Sequence, residues 1–88
     1  MPFLVICRPA AGADQDRFKH LLADELATMR RLKADGTLTQ AWSPSRPGAV
    51  LMLDVPGAAE VTALIASLPL AAEGLITTEI IPLTPLEL

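Results

Sequence analysis

Glu25 stands where a carboxylate is least expected. It falls seven residues after Phe18 and four before Met29, inside a run whose apolar residues Phe18, Leu21, Leu22, Leu26, Met29 and Leu32 recur with the 3.6-residue period of a helix. A carboxylate on the face that packs against a core loses hydration. Desolvation raises its pKa toward the range in which it can take and return a proton near neutral pH. The competing account puts Glu25 at the margin of the stripe, with its carboxylate reaching water or an arginine.

Other side chains carry chemistry only in company. Arg8 and Arg46 sit near the ends of predicted strands, where a guanidinium can grip a substrate carboxylate through two parallel hydrogen bonds. As solvated surface arginines they need no substrate at all. Trp42, the only tryptophan, shares a strand face with Gln40, so the two would line an apolar ligand pocket, or the ring packs in the core or an interface. His20 lies on the polar side of the helix four residues before Asp24, and a solvated i, i+4 pair is its plain account. Gly-rich phosphate loops, paired cysteines and a serine nucleophile elbow are absent from the sequence. One histidine and one cysteine do not make a zinc site, and no cofactor is expected. Cys7 falls inside an apolar run, where a free thiol serves as a small buried hydrophobe, and with no second cysteine to bridge it fits a reducing, cytoplasmic location.

A carboxylate in a helix stripe needs a surface to face, and the rest of the chain supplies a sheet. Phe3 to Arg8 is a short β-favouring run ended by Pro9. Asp14 or Asp16 caps the first helix, which Gly36 stops. Leu38 to Trp42 and Ala49 to Val55 read as an antiparallel hairpin, with Leu38, Gln40 and Trp42 on one face by alternation. Pro56-Gly57 opens a second helix carrying Val61, Leu64, Ile65 and Leu68, and Pro69 marks its expected end before a loop through Glu73-Gly74. Leu75 to Leu83 forms a last strand bounded by prolines. The order β-α-β-β-α-β suits the split βαβ arrangement, an α+β fold with a four-stranded antiparallel sheet and two helices on one face.

At 88 residues the chain has room for one domain and one core, burying about two-thirds of the surface its unfolded form exposes. Hydrophobic residues make up 51% of it and aromatic ones only 3%, so the core is Ala, Leu, Val and Ile. The net charge is −3 and the basic residues are scattered, which argues against nucleic acid as a partner. No run approaches the roughly 18 apolar residues of a membrane span. The apolar start lacks a basic leader and is interrupted by Arg8 and Pro9, so no signal peptide is expected.

Both faces of the predicted sheet are apolar. Phe3, Val5 and Cys7 oppose Leu4 and Ile6 in the first strand, and Ala49, Leu51 and Leu53 oppose Val50 and Met52 in the third. Two helices cover one face only. An uncovered face of this kind exceeds the few hundred Å² that monomers tolerate, so a homodimer or larger homo-oligomer, sheet against sheet, is expected.

The pattern resembles the muconolactone isomerase family over nearly the whole chain. Its carriers are Phe18, Glu25 and Gly36 along the first helix, Trp42 six residues past that glycine, and Asp54-Val55 closing the third strand. Ser67-Leu68-Pro69-Leu70 at the end of the second helix and Glu79-Ile80-Ile81-Pro82-Leu83 in the last strand complete it. The resemblance implies a ferredoxin-like fold of the dimeric α+β barrel type, and cofactor-free isomerisation of a small unsaturated lactone acid in aromatic catabolism. Such a reaction moves a proton along an allylic system. One carboxylate, for which Glu25 is the candidate, would take the proton from one carbon and return it to another, with Arg8 or Arg46 holding the substrate's acid group and Gln40 and Trp42 lining the pocket. The sequence departs from the family pattern at Gln40, where a histidine is expected, and at Ala71-Ala72-Glu73-Gly74, where a more aromatic segment is expected. A noncatalytic ligand-binding or assembly domain and a cofactor-free monooxygenase stand as alternatives.

Overall fold

The apolar strand Pro2–Pro9 (β1) lies in the middle of the sheet and pairs antiparallel on both sides. The structure is a computed structural model and describes residues 1–88. One neighbour of β1 is Ala49–Asp54 (β3) and the other is Ile76–Pro82 (β4), while Leu38–Trp42 (β2) pairs with the far side of β3. The resulting sheet order is β2-β3-β1-β4, the split βαβ topology. Pro82 ends β4 at an edge of the sheet, where a missing N–H leaves no ladder partner unsatisfied.

The long helix Gln15–Ala34 (α1) starts on Asp14, whose carboxylate accepts the N–H groups of Asp16 and Arg17 at 3.0 and 3.1 Å. A cap of this kind stabilises a helix by about 1 kcal/mol. Gly36, at φ +85, takes the left-handed turn that ends it. The second helix, Ala58–Ala66 (α2), follows Gly57 and places Val61 and Ile65 against the sheet. Pro69 does not simply end that helix. It occupies the first turn of a third, four-residue helix, Pro69–Ala72 (α3), where its missing N–H costs nothing. Gly74, at φ +69, then turns the chain into β4.

Phe3, Val5 and Cys7 of β1 and Leu51 and Leu53 of β3 form the core with Leu38, Val61 and Ile65. A smaller cluster of Leu21, Leu70 and Leu75 joins α1, α3 and the approach to β4. Strand β2 departs from simple alternation. Leu38 pairs with Leu53 but Gln40 pairs with Met52, so an irregularity sits at Thr39, whose hydroxyl donates to the Met52 carbonyl at 3.2 Å. Leu38 therefore faces the core, whereas Gln40 and Trp42 lie in register with the opposite face, and the expected shared face of these three residues is corrected.

That opposite face carries no helix. Cross-strand register sets Gln40, Met52, Leu4 and Ile81 in one row and Trp42, Val50, Ile6 and Glu79 in the next. Leu4, Ile6, Val50, Met52 and Ile81 remain only half-buried there. No helix in the chain is long and apolar enough to cross a membrane.

Candidate active site

Glu25 is the only buried charged residue, 2% exposed, and the two helices that flank it explain how a carboxylate survives there. Its Oε1 accepts the Leu70 backbone N–H at 3.0 Å. That donor exists because of the local sequence. Leu68 is fully buried and extended, Pro69 begins α3 without an N–H of its own, and Leu70 follows with one of the first-turn N–H groups that no helix carbonyl can satisfy. No protein group bonds the second carboxylate oxygen. It is not sealed in the protein interior either, so it keeps access to the space beside it.

That space is a cavity of about 450 Å³ between α1 and the sheet. Leu22, Leu26 and Met29 form its helix wall, Cys7 and Leu51 its sheet wall, and Trp42 stands at its rim. Volume and apolar lining match a site for a small organic ring with one polar group aimed into it. Burial pushes the Glu25 carboxyl up from its ordinary value, and the Leu70 hydrogen bond pulls part of that back. Cys7 shares the cavity. Burial, and secondly the Glu25 charge, push its thiol up to about 11, so it stays protonated and unreactive at neutral pH.

The sequence-predicted residues do not all converge. Glu25 and Trp42 border the same cavity. Gln40 lies outside it, in a shallower groove of about 300 Å³ between α1 and β2. Arg8 projects among the residues of the helix-free face, with Nη1 at 3.4 Å from Glu79 Oε1. Arg46 is exposed on the loop between β2 and β3, beside Pro47, which borders the cavity. His20 is exposed on α1. No three His, Cys, Asp or Glu side chains come close enough together to hold a metal ion.

Two parts of the arrangement were not read from the sequence. One is the Leu70 N–H, a backbone group whose role depends on where α3 docks. The other is a bidentate pair, Arg17 Nε and Nη2 to Glu73 at 2.7 and 2.6 Å, which ties the start of α1 to the end of α3 and holds the Glu73 carboxyl below its usual range. Both sit in segments whose apolar spacing carries no trace of them.

The family model for muconolactone delta-isomerase matches residues 1–87. The chain belongs to the muconolactone delta-isomerase family. Its fold superposes on the crystal structure of muconolactone isomerase with a TM-score of 0.78 at 25% identity, covering 97% of this chain and 90% of that one. A second structure, 5-chloro-2-hydroxyhydroquinone dehydrochlorinase from Burkholderia phenoliruptrix AC1100 in complex with 2,5-dihydroxybenzoquinone, matches in fold with a TM-score of 0.74 at 21% identity, covering 96% and 94% of the two chains. No curated protein matches at the sequence level. Within this muconolactone isomerase fold, two of the segments that carried the resemblance meet: Ser67-Leu68-Pro69-Leu70 delivers the N–H that holds Glu25. The two departures fall beside the cavity rather than at the carboxylate, with Gln40 in the neighbouring groove and Glu73 committed to Arg17.

Proposed function

We propose that the protein catalyses a cofactor-free proton-shift isomerisation of a small unsaturated lactone acid, with Glu25 as the shuttle. The single observation that carries this reading is the Glu25 carboxylate, held on one oxygen by Leu70 N–H and open on the other to an apolar cavity. The Glu25 carboxylate takes the proton from the ring carbon next to the double bond, and the electron pair spreads over the ring toward the lactone carbonyl. The same proton returns to the carbon beside that carbonyl, so the double bond moves one place and no atom is gained or lost. Three features suit Glu25 to this work. Burial raises its pKa above the ordinary carboxylate value, one fixed oxygen holds its geometry, and the other opens onto a mainly apolar cavity.

The family membership supports the substrate class, and muconolactone is the first compound to assay. Purified protein is expected to convert it, and Glu25→Gln, which keeps the acceptor for Leu70 N–H but cannot take a proton, is expected to lower turnover by about 10²- to 10⁴-fold. Unchanged turnover in the variant removes Glu25 from the mechanism. Binding without conversion in the parent protein replaces the isomerase reading with a ligand-binding one.

The same reading has the chain working as a homodimer or larger homo-oligomer in which two helix-free sheet faces pack together. Its support is the pair of cross-strand rows containing Leu4, Ile6, Val50, Met52 and Ile81, all half-buried in the single chain. Sedimentation at micromolar concentration tests it, and a stable monomer is the opposing result.

A further inference from the structure

The Glu25 cavity has no cation in its wall: its ionisable groups are Glu25 itself and the protonated Cys7 thiol. An acid substrate placed wholly inside would set its carboxylate against that of Glu25 in a poorly solvated space. The adjoining groove supplies what the cavity lacks. It is lined by Arg30, Lys33 and Gln40, and it shares Leu26, Met29 and Ala41 with the cavity, so the two depressions adjoin across those three residues. Arg30 and Lys33 are three residues apart on α1, hence neighbours on one helix face, and no acidic side chain pairs with either. Gln40 borders the same groove from β2, at a position in register with the helix-free face, so the charge of the groove is carried by Arg30 and Lys33.

We propose that the groove is an anion subsite: the ring of the substrate occupies the Glu25 cavity, and a carboxylate on a short arm crosses the Leu26, Met29 and Ala41 boundary to Arg30 and Lys33. This assignment rests on the lactone-acid reading above and deepens it. It moves recognition of the acid group from Arg8 and Arg46, which do not line either depression, to the exposed turn of α1 next to the catalytic one.

The test separates binding from turnover. Trp42, the only tryptophan and 49% exposed at the cavity rim, reports occupancy by its fluorescence. Titrations use Glu25→Gln, so that no conversion occurs, with muconolactone and its uncharged methyl ester as the two probes. The acid is expected to bind more tightly than the ester, and that preference to shrink at high salt. In the background of Glu25→Gln, the added pair Arg30→Ala and Lys33→Ala is expected to weaken the acid by about tenfold and leave the ester within about twofold, in keeping with two solvent-facing charge contacts. In the parent enzyme the same pair raises KM for the acid with kcat nearly unchanged. Equal binding of acid and ester overturns the proposal. So does an acid affinity that survives the Arg30 and Lys33 changes, or one that instead falls with Arg46→Ala, or the absence of saturable binding by either probe. Failure of the isomerase reading is a different result, namely selective binding of the acid with no turnover in the parent protein.

Discussion

The sheet face under the helices and the face turned away from them draw on the same palette of Leu, Ile, Val and Met, yet differ in what closes them. Under the helices, Leu51 and Leu53 are sealed at 2% and 0% exposure, and Glu25 is held in a defined cavity beside them. On the other face Val50 and Met52, their immediate chain neighbours, stay half-buried. Composition alone does not distinguish the wall of a closed cavity from a sheet face that the chain leaves uncovered; what packs against it does. The sharpest way to break this comparison is truncation one residue apart. Leu53→Ala is expected to cost about 3 kcal/mol in denaturant unfolding, through lost burial and a residual void. Met52→Ala is expected to cost about 1 kcal/mol or less within the chain, and to show its larger effect as a Tm that depends on protein concentration, since assembly stabilises by mass action. Equal, concentration-independent losses would mean that the two faces are not different in kind.

A second effect, of about 2 kcal/mol, belongs to the place where the cavity meets the sheet. Gly48 precedes β3 at φ +134, and a Cβ there would run into the Cys7 carbonyl oxygen of β1. Gly48→Ala therefore meets both an unfavourable backbone conformation and a backbone clash, and a loss of about 2 kcal/mol is expected from such a site. Because Gly48 and Cys7 both line the cavity, the substitution is also expected to disturb ligand binding followed through Trp42. The corresponding change at Gly12, at φ +71 and with no atom within 4 Å of an added Cβ, is expected to cost less, since it meets neither the clash nor so unfavourable a backbone conformation.

The cavity face also carries a pH signature. Glu25 has its pKa raised above the ordinary 4.5 by burial, so between that value and its folded pKa the native chain binds more protons than the unfolded one. Stability contributed at this position is present at low pH and lost as pH rises through the window. Glu25→Gln removes the penalty, so the variant is expected to gain on the parent in Tm when the pair is compared at pH 8 rather than at pH 4. Asp35 and Glu73, whose pKa values are lowered, pull the other way in both proteins and cancel in the difference. A difference that does not change with pH would place Glu25 in contact with water.

How much of this was legible beforehand follows from the range over which each interaction acts. The periodicity of α1 placed Glu25 on the inward face, and alternation in β1 and β3 separated the two sheet faces correctly, because both patterns are local and repeat. In β2 alternation predicts one face for Leu38, Gln40 and Trp42; Gln40 and Trp42 do share a face, but one irregularity at Thr39 puts Leu38 on the other, and no residue type announces it. Pro69 reads as a stop in the sequence and is also a start in the structure, since a missing N–H suits both the chain just past one helix and the first turn of another. The Leu70 N–H, the Cys7 environment and the Arg17–Glu73 pair join positions on different elements far apart in the chain, so they belong to the packing rather than to any stretch of sequence.

The smallest expected effect tests the face that has no helix. Arg8 and Glu79 pair at 3.4 Å across β1 and β4, each about half exposed. In a free chain such a pair is worth within about 0.5 kcal/mol, since water screens it and two long side chains must be ordered to make it. Arg8→Ala is therefore expected to leave unfolding of the dilute protein almost unchanged, and to leave ligand binding in the cavity, followed through Trp42, unchanged as well. If sheets pack face to face, however, the same pair lies at the margin of an apolar interface, where removal of Arg8 leaves a Glu79 carboxylate without its partner in a drier setting. The variant then weakens self-association while sparing the stability of the single chain. Equilibrium sedimentation of parent and Arg8→Ala at low and high salt separates these cases. A loss of association that salt reproduces in the parent puts the pair at the interface, and no change at either ionic strength puts it in open solvent.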